Sequence, residues 1–361
     1  MSIFSSITDH VMIGGPNAIA GWGLLVLLVL SGGVQYLQLL PGVNVGLFLL
    51  VLFAAAMTGN GVYAINAYYD LEADKVNKPN RPLPSGRMTR EHAFKYAYAL
   101  MATGLSVAVV VSILQSNYMM VVLWSIFTVL GIIYSTPPFK LKSRHIFGNI
   151  CFGTFAGLSY FIGLIFSGST GLASYPIMFQ VYFISLMIVF VGGVVTMKDF
   201  QDYEGDKKHG AITMPVKFGR RIAALIALFM MIPYAARIPI YPYGTYYQPP
   251  IYDFFLRNMG NWVLMAGFIV YIILDTRYTD HIVSDAYSRW MYYFMIIYTA
   301  YGYAKNTILP RSIATSPLIT VQGIDAYIAL AIYVVLATVT IVQTRKTGRD
   351  ILKQTLPKKP L

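Results

Sequence analysis

Charge is the scarcest property of this 361-residue sequence: only 12% of its residues are Asp, Glu, Lys or Arg, against about 25% in an ordinary soluble domain. With 57% of residues hydrophobic, there is too little polar surface to solvate a globule, so the solvent of the fold must be lipid. Cysteine is reduced to Cys151, which excludes an internal disulfide and, inside an apolar run, reads as core. No Lys or Arg precedes Lys75. The N-terminus therefore lacks the basic region of a secretory signal, and its first apolar run is expected to stay as a membrane span. The five histidines, His10, His92, His145, His209 and His281, are scattered without ligand spacing and read as surface or interfacial residues.

What is present is a succession of apolar runs, each close to the roughly 20 residues that cross ~30 Å of hydrocarbon as a helix. They cover residues 17–39, 45–69, 91–113, 118–136, 147–168, 174–197, 219–240, 258–275, 287–306 and 320–343. The fold class is all-α, a polytopic membrane helical bundle, with the whole chain as one transmembrane domain and a basic tail over 345–361. The cations outnumber the acids 27 to 15, a net charge of +12, which in a soluble protein would suggest nucleic acid. Their placement reads as topology instead. With the N-terminus inside, 23 of the 27 fall on the inner side, and only Arg237, Arg257, Lys305 and Arg311 lie outside. This bias puts the N-terminus and the tail in the cytoplasm of a cell-membrane protein and requires an even number of spans. The Tyr- and Pro-rich outer loop over about 241–257 reads as interfacial structure.

The second and sixth spans lie four helices apart, both run inward, and each ends in an acidic cluster followed by a basic, Gly- and Pro-containing loop. This is the pattern of an internal repeat of four helices. Seven of the 15 acids sit in these two stretches: Asp70, Glu72 and Asp74, then Asp199, Asp202, Glu204 and Asp206. Asn66, Asp70 and Asp74 follow i, i+4, i+8 spacing, one nearly axial stripe at a helix end. Asp202 and Asp206 repeat it, with Asp199 one turn earlier. Like charges stacked in this way repel unless a cation lies among them. Hard oxygen ligands without paired His or Cys favour Mg²⁺ over zinc or copper. Two such clusters can hold two Mg²⁺ ions and grip a diphosphate, neutralising charge as it leaves. Lys198, Arg81, Lys140, Lys142 and Arg144 are the cations placed to bind phosphate oxygens. A transporter would instead place ionisable groups near the middle of several spans, and the first six spans are almost free of charge.

These residues resemble the UbiA superfamily of intramembrane prenyltransferases. The first matching block is Asn66-Ala-Tyr-Tyr-Asp70-Leu-Glu-Ala-Asp74 running into Arg81-Pro-Leu-Pro-Ser-Gly86. The second is Lys198-Asp199-Phe-Gln-Asp202-Tyr-Glu-Gly-Asp206, followed by Gly210 and Thr-Met-Pro-Val-Lys-Phe-Gly at 213–219. The third is Tyr134-Ser-Thr-Pro-Pro-Phe-Lys-Leu-Lys142 with Gly148-Asn149. The chain departs from the pattern at Ala67, where members commonly carry Asp, and at Val194, where many carry Tyr or Arg.

The resemblance implies a nine-helix core over about 17–306, with the span at 320–343 as an additional C-terminal helix. It implies a chamber open to the cytoplasm and laterally to lipid, with an isoprenyl diphosphate donor and a lipophilic, membrane-embedded acceptor. Carried over by motif, Asn66, Asp70, Asp74, Asp202 and Asp206 bind Mg²⁺-diphosphate, while Lys198 and Arg81 bind diphosphate oxygens. Ionisation would leave an allylic cation in a dry, aromatic-lined chamber. The loop over 77–86 and Lys198-Asp199 most resemble the archaeal branch that adds geranylgeranyl to geranylgeranylglyceryl phosphate. The Tyr134–Lys142 block resembles chlorophyll and bacteriochlorophyll synthases, and aromatic quinone precursors are a further class of acceptor.

Overall fold

The computed structural model describes residues 8–14, 44–166, 177–235 and 251–277, together with 284, 287, 288, 291 and 292. Its helices, in chain order, are α1 (Val45–Tyr69), α2 (Leu71–Asn77), α3 (Arg90–Leu114), α4 (Met119–Ser135), α5 (Ile146–Phe166), α6 (Ile177–Gln201), α7 (Tyr203–Lys208), α8 (Met214–Phe218), α9 (Arg220–Ala235) and α10 (Ile251–Arg277). Among the described residues the only β-pairing is an isolated parallel bridge between Arg144 and Ile212.

The long helices start where local chemistry allows. Asn44 Oδ1 accepts from the Leu47 N–H at 3.1 Å at the head of α1, and Thr89 Oγ1 accepts from the His92 N–H at 3.2 Å at the head of α3. Each cap satisfies an N–H that the helix itself leaves without a partner. Both helices run for 25 residues, about 37 Å at 1.5 Å per residue, enough to cross the hydrocarbon of a bilayer. Among the described residues, four stretches are long and apolar enough to span: Gly46–Tyr69, Arg90–Leu114, Ile146–Gly163 and Ile184–Gln201, with Met119–Ser135 a shorter apolar helix. Leu49, Ile113, Phe229 and Ile273 are exposed, as lipid-facing side chains are. The protein is a multi-pass membrane protein.

The expected spans at 45–69, 91–113, 118–136 and 147–168 emerge as α1, α3, α4 and α5 within two residues at each end. Two others differ. α6 runs four residues past the expected end at 197 and so carries Lys198 and Asp199 on the helix. α10 begins at Ile251, so 251–257 belong to a helix and not to the outer loop. The spans at 17–39 and 320–343 and the basic tail lie outside the described residues. Of 287–306, only 287, 288, 291 and 292 are described, all helical.

α1 packs on α3, α5 on α6, α6 on α9 and α9 on α10, with α4 touching both α3 and α5. Close approach and internal hydrogen bonds replace the hydrophobic drive that lipid cannot supply. At Gly153 of α5, a Cβ would lie 1.9 Å from the Ile188 carbonyl oxygen of α6. One turn away, buried Asn149 donates to the Gly192 carbonyl at 3.0 Å and to Thr196 Oγ1 at 2.8 Å. Trp124 Nε1 of α4 donates to Thr58 Oγ1 of α1 at 3.0 Å, both buried. Phe200 and Tyr271 stack at 4.1 Å, fixing the end of α6 against α10. Cys151 is buried, as its apolar surroundings require.

Candidate active site

Each acidic motif straddles the same backbone break. α1 ends at Asp70 (φ −95°, ψ 5°) and α6 ends before Asp202 (φ −96°, ψ 1°), each followed at once by a short helix, α2 or α7. The i→i−4 bonds continue through the break: Asp70 N–H to Asn66 O at 2.9 Å, Asp74 N–H to Asp70 O at 2.7 Å, and Asp206 N–H to Asp202 O at 2.9 Å. The carboxylate spacing read from the sequence therefore survives the change of helix. The two short helices pack against each other, bringing the acidic stretches to one end of the bundle.

Four cations stand among the carboxylates. Lys142 Nζ lies 2.5 Å from Asp70 Oδ2 and donates to Asn66 Oδ1 at 3.1 Å. Arg81 Nη1 donates to Asp74 Oδ2 at 2.7 Å. Lys198 Nζ is 3.6 Å from Asp202 Oδ2. Lys78 joins the two sets, paired with Asp202 and 3.9 Å from Asp74 Oδ1. Asp74 and Asp202 are buried, where an unpaired carboxylate would be costly.

The carboxylates respond in opposite directions. Burial alone would raise Asp202, but Lys78 and Lys198 outweigh it and hold its carboxyl at about 2. Asp206 has no cation within ion-pair distance among the described residues; burial, then Asp202 and Asp199, push it up to about 8. Burial pulls the Lys142 ammonium down, against the attraction of Asp70. The cluster thus holds a carboxylate short of positive charge.

Behind this polar end lies a cavity lined by Val62, Phe127, Phe152 and Phe155, with Tyr63 and Tyr134. Asn66 and Lys198 reach it from the acidic motifs. Its lining is mostly apolar and aromatic, with Lys198 the one charged side chain among the lining residues.

The structure brings together Asn66, Asp70, Asp74, Asp202, Arg81, Lys142 and Lys198. Asp199 follows Lys198 on α6, and Asp206 lies on α7 within the field of Asp202. Two of the sequence candidates stand apart. Arg144 is exposed and donates to the Phe139 and Pro138 carbonyls at 2.7 and 3.1 Å, which holds the loop after α4. Lys140, at positive φ, makes no ion pair among the described residues. Sequence reading missed Lys78 as a site residue, although its i+4 position after Asp74 was a usable signal. It also missed the pairing of His10 Nε2 with His92 Nε2 at 2.7 Å, which no local spacing announces. That contact, with Arg87 Nε donating to Asp9 Oδ1 at 3.0 Å, seats residues 8–14 beside the first acidic loop.

The donor set suits Mg²⁺: every candidate ligand is an oxygen, and Lys142 and Lys78 show that positive charge is already stabilised between the carboxylates. No three of the acids converge on one point among the described residues, and Lys142 and Lys78 are paired with Asp70 and Asp202. An ion entering the cluster would take over their charge-neutralising place.

The model of the UbiA prenyltransferase family matches residues 22–274. The chain is 32% identical over 233 residues to the digeranylgeranylglyceryl phosphate synthase of Methanobrevibacter smithii, covering 63% of this chain and 73% of that protein. It is 35% identical over 211 residues to the synthase of the same name from Thermococcus kodakarensis, covering 58% and 68%. A solved structure concerning digeranylgeranylglyceryl phosphate synthase in membranes aligns over 84% of this chain and 100% of its own, with a TM-score of 0.51 at 21% identity, which shows a shared fold.

Proposed function

This chain belongs to the UbiA prenyltransferase family, and from that membership and the site geometry we propose that it transfers geranylgeranyl from its diphosphate to geranylgeranylglyceryl phosphate. The observation that carries the chemistry is the packing of α2 on α7, which supports a diphosphate held between two carboxylate sets. The choice of acceptor is supported by relatives at 30–35% identity that bear the name digeranylgeranylglyceryl phosphate synthase.

In this reading Asn66, Asp70 and Asp74 on one side, and Asp199, Asp202 and Asp206 on the other, would hold Mg²⁺, two ions in all. Bound there, Mg²⁺ neutralises the diphosphate and the charge that develops on it as it leaves. Arg81 offers a bidentate fork to phosphate oxygens, and Lys142, Lys198 and Lys78 act as point charges beside it. Lys140 and Arg144 flank Lys142 in sequence and are further candidate contacts for the diphosphate. The prenyl chain extends into the apolar cavity, where Phe127, Phe152 and Phe155 exclude water. Its aromatic faces stabilise the allylic cation formed as the bond from C1 to diphosphate breaks. The acceptor's hydroxyl oxygen then forms its bond to C1, and its proton passes to the departed diphosphate.

The reading extends to topology. A single domain, with its core over about 17–306, a further helix over 320–343 and the tail over 345–361, would place the site and both termini on the cytoplasmic side. The contact of Asp9 with Arg87 supports an N-terminus on the side of the acidic loops, and the cation bias supports that side being inside.

The test is a purified-protein assay with labelled geranylgeranyl diphosphate offered geranylgeranylglyceryl phosphate, an aromatic quinone precursor and chlorophyllide in parallel, with products read by mass spectrometry. The glyceryl phosphate lipid is the expected acceptor. Preferential prenylation of either other acceptor would reject this choice while leaving the prenyltransferase reading intact.

A further inference from the structure

We propose that Asn77 is the positioning residue that fixes the distance between the two carboxylate sets and frees Asp202 to face the site. The inference rests on the reading of these loops as a Mg²⁺-diphosphate site.

Asn77 is the last residue of α2, in the first acidic loop. Its side chain makes two bonds to the second loop, more than a hundred positions away in sequence. Nδ2 donates to the Asp202 carbonyl at 3.2 Å, and Oδ1 accepts from the Gly205 N–H at 3.0 Å. One amide thus uses both its donor and its acceptor on the backbone that carries Asp202 and Asp206. Few other side chains offer both functions at this reach.

The bond to Gly205 has a further consequence. Asp202 is the N-cap of α7, and Gly205 is its third helical residue, whose N–H has no partner within the helix. Asp is among the strongest N-cap residues because its carboxylate ordinarily accepts from that N–H. Here the Asp202 side chain makes no cap bond. It faces Lys78 and Lys198 instead. Asn77 supplies the cap from the neighbouring loop, so the helix is satisfied without drawing the Asp202 carboxylate out of the cluster. Gly205 has to be glycine for this arrangement: the three atoms nearest an added Cβ all belong to the Asn77 side chain, at 2.3 to 2.6 Å.

Removing the bridge has two effects on the site. α2 and α7 lose a fixed spacing, and the Asp202 carboxylate is drawn back to cap its own helix. Both weaken Mg²⁺ and diphosphate binding more than they weaken the fold, since the surrounding spans do not depend on either bond. Loss of a group that orients metal ligands commonly lowers affinity or activity by about 10–100-fold.

The test uses the full-length protein, purified in detergent and stripped with EDTA. Mg²⁺ is titrated in the presence of inorganic diphosphate and its half-point read from the rise in thermal midpoint, with turnover of geranylgeranyl diphosphate as a second readout. Asn77→Ala should raise the Mg²⁺ half-point at least tenfold while its midpoint in EDTA stays near that of wild type. Gly205→Ala should do the same, because its Cβ displaces the Asn77 amide. The double variant Asn77→Ala/Gly205→Ala should be no worse than Asn77→Ala, since the clash has gone. Should Asn77→Ala fail to accumulate, Gly205→Ala carries the same expectation with Asn77 in place. A Mg²⁺ half-point within twofold of wild type, or additive losses in the double variant, would overturn the inference. A wild type with no Mg²⁺-dependent stabilisation would remove the diphosphate-site reading itself, and this inference with it.

Discussion

Lys142 Nζ lies 2.5 Å from Asp70 Oδ2, on the loop after α4 and at the end of α1 respectively, so the first carboxylate of the first motif is already neutralised by a side chain from elsewhere in the fold. The same ammonium donates to Asn66. It occupies the place between two candidate ligands that a metal ion would share, and it is also a candidate contact for diphosphate.

Lys142→Met separates those two roles. With the ammonium gone, Asp70 and Asn66 lose a competitor, and Mg²⁺ should bind the substrate-free protein roughly tenfold more tightly, about one pKa unit of interaction. The KM for geranylgeranyl diphosphate should rise by roughly 10–100-fold, the loss of one hydrogen bond between charged groups. Opposite changes in the two titrations are expected. A parallel loss of both would mean that Lys142 only maintains the loop.

The response to pH follows from Asp206 and Asp202. Asp206, raised to about 8 from an unfolded value of roughly 3.9, is protonated at neutral pH in the metal-free fold. Its ionisation opposes folding, so it lowers stability progressively as pH rises from about 4 to about 8. Asp202, held at about 2, contributes in the opposite sense. Its stabilisation is complete above about 4 and is lost as pH falls toward 2. In EDTA the thermal midpoint should therefore decline between pH 5 and 8, and Asp206→Asn should flatten that decline. Mg²⁺ binding should strengthen over the same interval, with release of a proton. A midpoint in EDTA that climbs toward pH 8 would contradict the burial of Asp206 against its neighbours.

Much of this was legible in the sequence. The bounds of α1 and α3 follow from the length of the apolar runs, and the paired acidic motifs announced themselves by spacing. The breaks at Asp70 and Asp202 were not legible, because the side-chain pattern does not change across them and an i→i−4 bond to the break residue follows each, from Asp74 and from Asp206. Nor could spacing distinguish Lys142 from Lys140 or Arg144. The turn at Lys140 (φ 39°) and the short 3₁₀ helix Leu141–Ser143 point one cation at Asp70, while Arg144 bonds its own loop. Lys78 and Asn77 lay in a segment read mainly for Arg81, and their partners in the second motif, Asp202 and Gly205, are more than a hundred residues distant.

Gly153 provides a test of the packing alone. Its absent Cβ would lie 1.9 Å from the Ile188 carbonyl, backbone that cannot yield without moving α6. Gly153→Ala should destabilise the protein by about 1–3 kcal/mol, read as a thermal midpoint lower by several degrees, with an unchanged Mg²⁺ half-point. A midpoint equal to wild type would mean that α5 and α6 are not in contact there.

Sidedness can be checked at two exposed positions, one on each acidic loop. The side chains of Glu72 and Glu204 are 66% and 69% exposed. Glu72→Cys and Glu204→Cys should both react with an impermeant maleimide in inside-out membrane vesicles and be protected in intact cells, while buried Cys151 stays unlabelled. Labelling of the two from opposite sides would separate the motifs and end the account of a shared site.

The most direct measurement is calorimetric binding of a non-hydrolysable geranylgeranyl diphosphate analogue to the protein in lipid nanodiscs, with and without Mg²⁺, for wild type, Asp70→Ala and Asp202→Ala. The account predicts saturable binding by wild type that requires Mg²⁺ and is lost on alanine substitution in either motif, with each variant still folded and inserted. Binding of equal strength in EDTA, or undiminished in both variants, would contradict it.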